Sequence, residues 1–230
     1  MNRSICPLLT AILLALPTGW AAASEPAREA LPTVVLLGDS IRLSYAPAVA
    51  KAFQGKAVVV SPAANGGDSS NVLKHLDAWV IRERPALVHF NCGIHDTKKY
   101  KSSGRFQTPP EKYESNLKKI VERIRKETGA VVLFATTTPI LDDRAARVRS
   151  DRDYELLGGS VEQYNGIAKK LMKRLEVPVD DLHAVLSAAQ PPATAADLIG
   201  SDGVHLLPEG QEMLGKTVAE FIGKHLRRKP

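Results

Sequence analysis

Residues 33–40 read Thr-Val-Val-Leu-Leu-Gly-Asp-Ser, a β-branched and apolar run that stops at a Gly-Asp-Ser tripeptide. A continuous run of this kind predicts a strand buried on both faces, as in a parallel sheet covered by helices. Ser40 then lies at the carboxyl end of the strand, where open α/β sheets place their ligands. The segment therefore predicts both a fold class and the position of a functional site.

Four further apolar runs alternate with helical patterns along the chain. The runs are residues 57–60, 86–92, 130–135 and 177–180. The helical patterns cover residues 70–84, 108–128, 161–175 and 208–225. This alternation predicts an α/β domain with three layers, α/β/α, around a doubly wound, parallel, five-stranded sheet. Residues 97–109 and 138–160 show neither pattern and are interpreted as long loops, which often carry function in such folds.

The N-terminal residues have the pattern of a secretory signal peptide. A positive start at Arg3 is followed by an apolar run over residues 6–17 and by alanines at 21–23. Cleavage after Ala23 fits the small-residue rule, and the apolar run is short for a membrane span. We therefore expect a secreted or periplasmic protein with a single domain over residues 24–230 and no stable membrane insertion after cleavage.

The composition excludes several classes of protein. Hydrophobic residues make up 44% and charged residues 24% of the 230 residues, as is typical of globular proteins. Two cysteines are too few for a disulfide-rich scaffold or a zinc site built on thiolates. The formal net charge of +6 includes a basic C-terminus, which is interpreted as a solvated tail rather than a nucleic-acid-binding surface.

A second group of reactive residues lies near the other end of the chain, where Asp202 and His205 precede a predicted helix. A serine nucleophile needs a general base, and the base needs an acid that orients it. The Gly-Asp-Ser tripeptide alone is a weak signal, because Asp39 and Ser40 could merely cap a helix and because residues 67–69 repeat it. The chain has no Gly-x-Ser-x-Gly elbow, which disfavours an ordinary α/β-hydrolase.

Four blocks, taken in order, resemble the SGNH/GDSL hydrolase family. They are Gly38-Asp39-Ser40, Asn65-Gly66-Gly67-Asp68-Ser69, Gly93-Ile94-His95-Asp96 and Asp202-Gly203-Val204-His205. The first three follow predicted strands, and the four together span nearly the whole predicted mature chain. The third block departs from the family pattern, because His95 stands where the family usually has asparagine.

The resemblance implies a flavodoxin-like sheet and the hydrolysis of esters through an acyl-enzyme. It implies that Ser40 is the nucleophile, that His205 is the base and that Asp202 orients the base. No cofactor is expected. A metal site built from His95, Asp96 and His205 is conceivable, but a strand-end serine beside these residues explains the set better.

The resemblance also implies an oxyanion hole made of the backbone N–H groups of Ser40 and Gly67 and the side chain of residue 95, with Gly66 as the second choice for Gly67. A histidine can donate a hydrogen bond from either the neutral or the cationic ring, so His95 is either a donor or a purely structural residue. Asp39 and Asp96 are interpreted as supports that hold the strand-end loops by hydrogen bonds.

Arginines mark one of the predicted loops. Arg144, Arg147 and Arg149 lie between residues 138 and 160, beside the catalytic end of the sheet. Guanidinium groups match carboxylates and phosphates, so these residues could bind an acidic substrate. The alternative is a solvated loop in which they form salt bridges with neighbouring aspartates.

Aromatic residues make up only 5% of the chain, which favours a small acyl group over a long acyl tunnel. By analogy with the family, the leading expectation is an exported esterase that removes acetyl groups from carbohydrate, in a small-molecule or polysaccharide ester. One alternative is an esterase, lysophospholipase or thioesterase acting on lipid-like acyl groups. Another is a non-catalytic carbohydrate-binding relative, against which the presence of Ser40, Asp202 and His205 argues.

Overall fold

The computed structural model describes residues 30–191 and 193–226, so the predicted signal peptide lies outside the described residues. The strands are β1 Thr33–Leu37, β2 Val58–Val60, β3 Leu87–Phe90, β4 Lys99–Tyr100, β5 Val131–Ala135, β6 Tyr154–Glu155 and β7 Val179–Asp180. The α-helices are α1 Ser40–Ala52, α2 Ser69–Lys74, α3 Leu76–Trp79, α4 Pro110–Thr128, α5 Asp142–Val148, α6 Gly158–Arg174, α7 Leu182–Ser187, α8 Ala195–Leu198 and α9 Pro208–His225. Of these described helices, none is long and apolar enough to cross a membrane.

Five strands form one parallel sheet in the order β2-β1-β3-β5-β7. Val35 of β1 pairs with Val88 of β3, and Val88 pairs in turn with Val132 of β5. With only these five strands counted, the order is 2-1-3-4-5, which is the flavodoxin-like arrangement with its switch point between β1 and β3. The predicted α/β fold with a doubly wound, five-stranded parallel sheet is therefore confirmed.

Each face of the sheet has its own apolar core. Val34 and Leu36 of β1 pack in one core with α1 and α9, whereas Val35 and Leu37 pack in the other with α2 and α4. Successive side chains of a strand point to opposite faces, so a strand covered on both faces must be apolar throughout. The unbroken run at residues 33–37 is the consequence of this three-layer packing.

The sequence predicts one continuous helix over residues 70–84, and this prediction is wrong because the segment is interrupted. In the structure α2 is followed by the short α3 and then by a 3-10 turn at Ile81–Glu83. The apolar stripe Val72, Leu76 and Val80 is fully buried, so the predicted buried face is present. The helix is interrupted first at His75, where φ is −103° and ψ is 10°, and again at Val80, where φ is −134°.

The two segments interpreted as long loops contain regular structure. β4 from the first segment pairs with β6 from the second in an antiparallel ribbon, with Tyr100 opposite Tyr154. The Lys101 N–H extends the ribbon by donating to the Asp153 carbonyl at 2.9 Å. Strands of two residues are too short for any periodicity, and they form here because each segment supplies the other's hydrogen-bonding edge.

Candidate active site

Ser40 is the first residue of α1 and follows the strand β1 after a two-residue turn. Asp39 caps the helix, because its Oδ1 accepts a hydrogen bond from the Ile41 N–H at 2.9 Å. Gly38 is required for close approach, since a Cβ built on it would lie 1.8 Å from Oδ1 of Asn91. Ser40 is half-buried, so its hydroxyl is fixed by the turn and still accessible.

The hydroxyl of Ser40 contacts a residue of the loop between Leu198 and α9. Its Oγ lies 2.9 Å from Nε2 of His205, and Nδ1 of His205 lies 2.5 Å from Oδ2 of Asp202. The Asp202 Oδ1 accepts the backbone N–H groups of Val204 and His205, each at 3.0 Å. This network assigns the tautomer in which Nδ1–H donates to Asp202 and Nε2 accepts from Ser40.

The carboxyl of Asp202 is held in its ionised form. Partial burial acts to raise the pKa of this carboxyl, but the hydrogen bonds from the His205 ring and from two backbone N–H groups outweigh burial and hold the pKa below its ordinary value. Arg149 adds a hydrogen bond from Nη1 to the Asp202 carbonyl at 2.8 Å. A carboxylate held in this form beside an imidazole can orient the ring and stabilise its protonated form.

The loop after β2 brings Gly66 and Gly67 to the β1–α1 turn. The Gly66 N–H donates to the Gly38 carbonyl at 2.9 Å, and a Cβ at Gly66 would lie 2.7 Å from that oxygen. Gly67 has φ of +62°, and its N–H donates at 2.9 Å to Oδ1 of the exposed Asn65. The Gly66 N–H is thus already used in a backbone hydrogen bond, whereas the Gly67 N–H is bound only by a side chain that can rotate away.

His95 lies in the loop after β3, across the switch point from Ser40. Burial lowers the pKa of its half-buried ring, and although Asp39 and Asp68 oppose this, Lys98 and His205 add to it and the pKa stays below the ordinary value. The ring is therefore neutral near pH 7, where it keeps one N–H donor. Among the described residues it makes no side-chain hydrogen bond, so this donor is available.

Asp39 and Asp96 both accept hydrogen bonds from strand-end loops. Besides the helix cap, Oδ2 of Asp39 lies 3.4 Å from Nδ2 of Asn91, and burial raises the Asp39 pKa. Asp96 accepts the N–H of Ser69 at 3.0 Å and its hydroxyl at 2.6 Å. Burial is the main cause that raises the Asp96 pKa to about 7, against the opposing hydrogen bonds from Ser69.

One supporting residue of the turn that carries Ser40 escaped the sequence analysis. Arg42 is fully buried in α1, and its guanidinium donates to the Gly38 carbonyl at 2.8 Å and to the Ala64 carbonyl at 2.9 Å. It thereby ties the turn that carries Ser40 to the loop after β2. The available signal was its position: Arg42 shares a helical face with the buried Tyr45 and Val49, where a charged residue is unexpected.

The three candidate arginines have different surroundings. Arg144 donates from Nη1 to the carbonyls of Ile199 at 2.6 Å and Ala196 at 2.9 Å, and Arg149 contacts Asp202. Arg147 is exposed and lines a depression whose lining includes neither Ser40 nor a histidine. Within the described residues no group of three histidine, cysteine or acidic side chains is placed to hold a metal ion.

Comparison with known proteins gives one consistent family. Residues 36–213 match the GDSL-like Lipase/Acylhydrolase family. An arylesterase of Vibrio mimicus is 25% identical over 211 residues, which is 87% of this chain and 92% of that protein. The fold resembles the crystal structure of a lipase/acylhydrolase from Enterococcus faecalis, with a TM-score of 0.70, 21% identity and coverage of 87% of this chain and 100% of that one. It also resembles Axe2, an acetylxylan esterase from Geobacillus stearothermophilus, with a TM-score of 0.65, 18% identity and coverage of 87% and 98%.

Proposed function

Because the chain belongs to the GDSL-like lipase/acylhydrolase family and is a carboxylic ester hydrolase, we propose that Ser40 is its nucleophile and His205 its general base. The observation that carries the proposal is the continuous hydrogen-bonded chain from Ser40 through His205 to Asp202, with separations of 2.9 and 2.5 Å. These distances lie within the reach that proton transfer between nucleophile and base requires.

The reaction proceeds in two half-reactions. Nε2 of His205 takes the proton from Ser40 as Oγ bonds to the ester carbonyl carbon, and Asp202 stabilises the imidazolium. The tetrahedral adduct then releases the alcohol, whose oxygen takes the proton from His205, and leaves an acyl group on Ser40. A water molecule gives a proton to His205 and attacks the acyl-enzyme, after which the carboxylic acid leaves and Ser40 recovers its proton.

The oxyanion of the tetrahedral adduct is stabilised by the N–H of Ser40, the N–H of Gly67 and the ring N–H of His95. Ser40 contributes because it begins α1, where the helix leaves N–H groups without intrahelical partners. Gly67 contributes after the exposed side chain of Asn65 gives up its hydrogen bond. The lowered pKa of His95 supports this role, since a neutral ring adds a donor without placing a second cation beside His205.

The substrate we propose is a carbohydrate carrying acetyl esters, and the protein we propose is exported after cleavage behind Ala23. The exposure of His205 supports a substrate with a bulky alcohol group. Its side chain is 51% exposed, so a sugar chain can approach it from solvent. The low aromatic content of 5% supports a small acyl group. The structural similarity to an acetylxylan esterase is in keeping with both.

The test compares the hydrolysis of esters that differ in their acyl group and in their alcohol, with Ser40→Ala as the control. Acetate release from acetylated xylan should be readily measured, and kcat/KM for p-nitrophenyl esters should fall from acetate to longer chains. A rise of kcat/KM with chain length would replace the carbohydrate proposal by a lipid-like substrate. Equal release by wild type and Ser40→Ala on every ester would refute the catalytic assignment. N-terminal sequencing of the exported protein should begin at Ser24.

A further inference from the structure

A depression of about 470 Å³ lies between α5, α8 and the loop that carries Asp202 and His205. Its size falls in the range of small-molecule sites, roughly 300–1,000 Å³. Ala196, Ile199 and Leu207 form an apolar part of its lining, and Leu207 is 40% exposed. Leu207 therefore places an accessible apolar side chain in the lining of the depression.

The same depression carries two arginines. Arg144 is fixed by three backbone carbonyls that accept from its Nη1, those of Ala196, Ile199 and Gly200. Arg147 is exposed, and among the described residues no acidic group lies within salt-bridge distance of it, whereas Arg152 on the same segment pairs with Asp151 at 3.7 Å.

One acidic residue, Asp197, also lines the depression. Its carboxylate accepts the N–H and the hydroxyl of Thr194, at 2.9 and 2.7 Å. These hydrogen bonds hold Asp197 in the capping box of α8 and lower its pKa, so it is ionised. With two arginines against one aspartate, the formal charge of the lining is positive.

One wall of the depression is formed by the loop that also carries Asp202 and His205. Ser201 lines the depression and directly precedes Asp202, and the Gly200 N–H donates to the His205 carbonyl at 2.8 Å. Gly203 packs on α5 so closely that a Cβ would lie 2.5 Å from the Leu141 carbonyl oxygen. A sugar bound in the depression therefore contacts the same loop that carries His205.

We propose that this depression is a subsite for an acidic sugar, in which Arg147 binds the carboxylate of a uronate unit and Leu207 packs against the C–H face of its ring. A planar guanidinium binds a carboxylate through two parallel hydrogen bonds, which fixes the sugar's orientation as well as its charge. The inference rests on the proposed carbohydrate esterase activity and narrows its substrate to acetylated polysaccharides that contain uronic acids.

Binding and turnover test the subsite separately. Calorimetry on the wild-type protein should detect trigalacturonate and not xylotriose, and Arg147→Gln should weaken trigalacturonate binding about tenfold, the effect of one good charge-assisted contact. On acetylated pectin the same variant should raise KM about tenfold at unchanged kcat, because a contact remote from the reacting atoms contributes equally to substrate and transition state. Arg152→Gln is the matched control, since it removes one arginine of the same segment outside the depression, and should leave both values unchanged.

Each contrary result has a defined meaning. Equal Kd values for Arg147→Gln and wild type would overturn the subsite, as would equal affinity for xylotriose and trigalacturonate. Inorganic phosphate that displaces trigalacturonate at equal concentration would show a general anion site and also overturn the uronate assignment. Absence of acetate release from every carbohydrate would refute the proposed function alone, because the Kd comparison does not depend on turnover.

Discussion

The Gly-Asp-Ser tripeptide occurs twice in this chain, and both copies begin a helix but have different surroundings. In each copy the aspartate caps a helix, Asp39 through the Ile41 N–H and Asp68 through the Asn71 N–H, and the serine is the first helical residue. Ser40 is half-buried and its Oγ contacts His205. Ser69 is fully buried, and its hydroxyl donates to Asp96.

The comparison separates what a tripeptide determines from what its neighbours determine. Glycine, a capping aspartate and a serine suffice to start a helix after a strand or loop. The group opposite the serine then distinguishes the two copies: Ser40 faces His205, which suits it to the proposed role of nucleophile, whereas Ser69 binds the buried carboxyl of Asp96 and acts as a tether. Asn116 reinforces the second case, because its Nδ2 also contacts the Ser69 Oγ at 2.9 Å.

The largest expected effect is the loss of activity in Ser40→Ala, with kcat falling by roughly 10⁶-fold as for removal of a nucleophile in a serine hydrolase. Its free energy of unfolding should change little. Ser69→Ala should keep kcat near the wild-type value and lose about 1–3 kcal/mol of stability, since it leaves the buried carboxyl of Asp96 short of a partner. Hydrolysis of p-nitrophenyl acetate and urea unfolding measure the two quantities. A fluorophosphonate adduct mapped to Ser69 would reverse the assignment of the two copies.

The next largest effect concerns the residue that distinguishes Ser40 from Ser69. His205→Ala should lower kcat almost as much as Ser40→Ala, and the double variant should be little worse than either, because members of one catalytic unit are not additive. Asp202→Asn should be milder by an order of magnitude or more. The measurement is kcat for all four variants, and losses that multiply in the double variant would show that Ser40 and His205 act independently.

His95 connects the two copies, because its ring is subject to the charges of both capping carboxylates, Asp39 and Asp68. If it donates to the oxyanion, His95→Ala should lower kcat by roughly 10²–10³-fold, the effect of removing one such donor. His95→Asn should recover much of the loss, since an amide N–H can take a similar position. The acid limb of the pH–rate profile should also simplify in His95→Asn, where one titrating ring is gone. Full kcat in His95→Ala with reduced thermal stability would make His95 a packing residue.

The residues that could be predicted from the sequence are those whose position follows from strand ends. Ser40 and His95 come directly after buried apolar runs, so the parallel sheet alone brings them to one edge. The partners of Arg42 and Asn116 could not be predicted, because the Ala64 carbonyl and the Ser69 hydroxyl are distant from them in the chain. The same holds for the β4–β6 ribbon, whose strands exist only through their mutual pairing.

The last expected effect is a pH dependence of stability that distinguishes Asp96, the partner of Ser69, from Asp202, the partner of His205. The Asp96 pKa is about 7 in the folded protein against 3.8 for an unperturbed aspartate, so the folded state binds the proton more tightly. Stability therefore falls as pH rises from about 4 to about 7, by an amount on the order of a few kcal/mol. Asp202 has the opposite sign, because its lowered pKa adds stability that is lost only on acidification below about pH 4. Urea unfolding at pH 5 and pH 8 should show a smaller difference in Asp96→Asn than in wild type. The same difference in both proteins would mean that Asp96 is ionised at pH 5, as Asp202 is, and that burial does not control its titration.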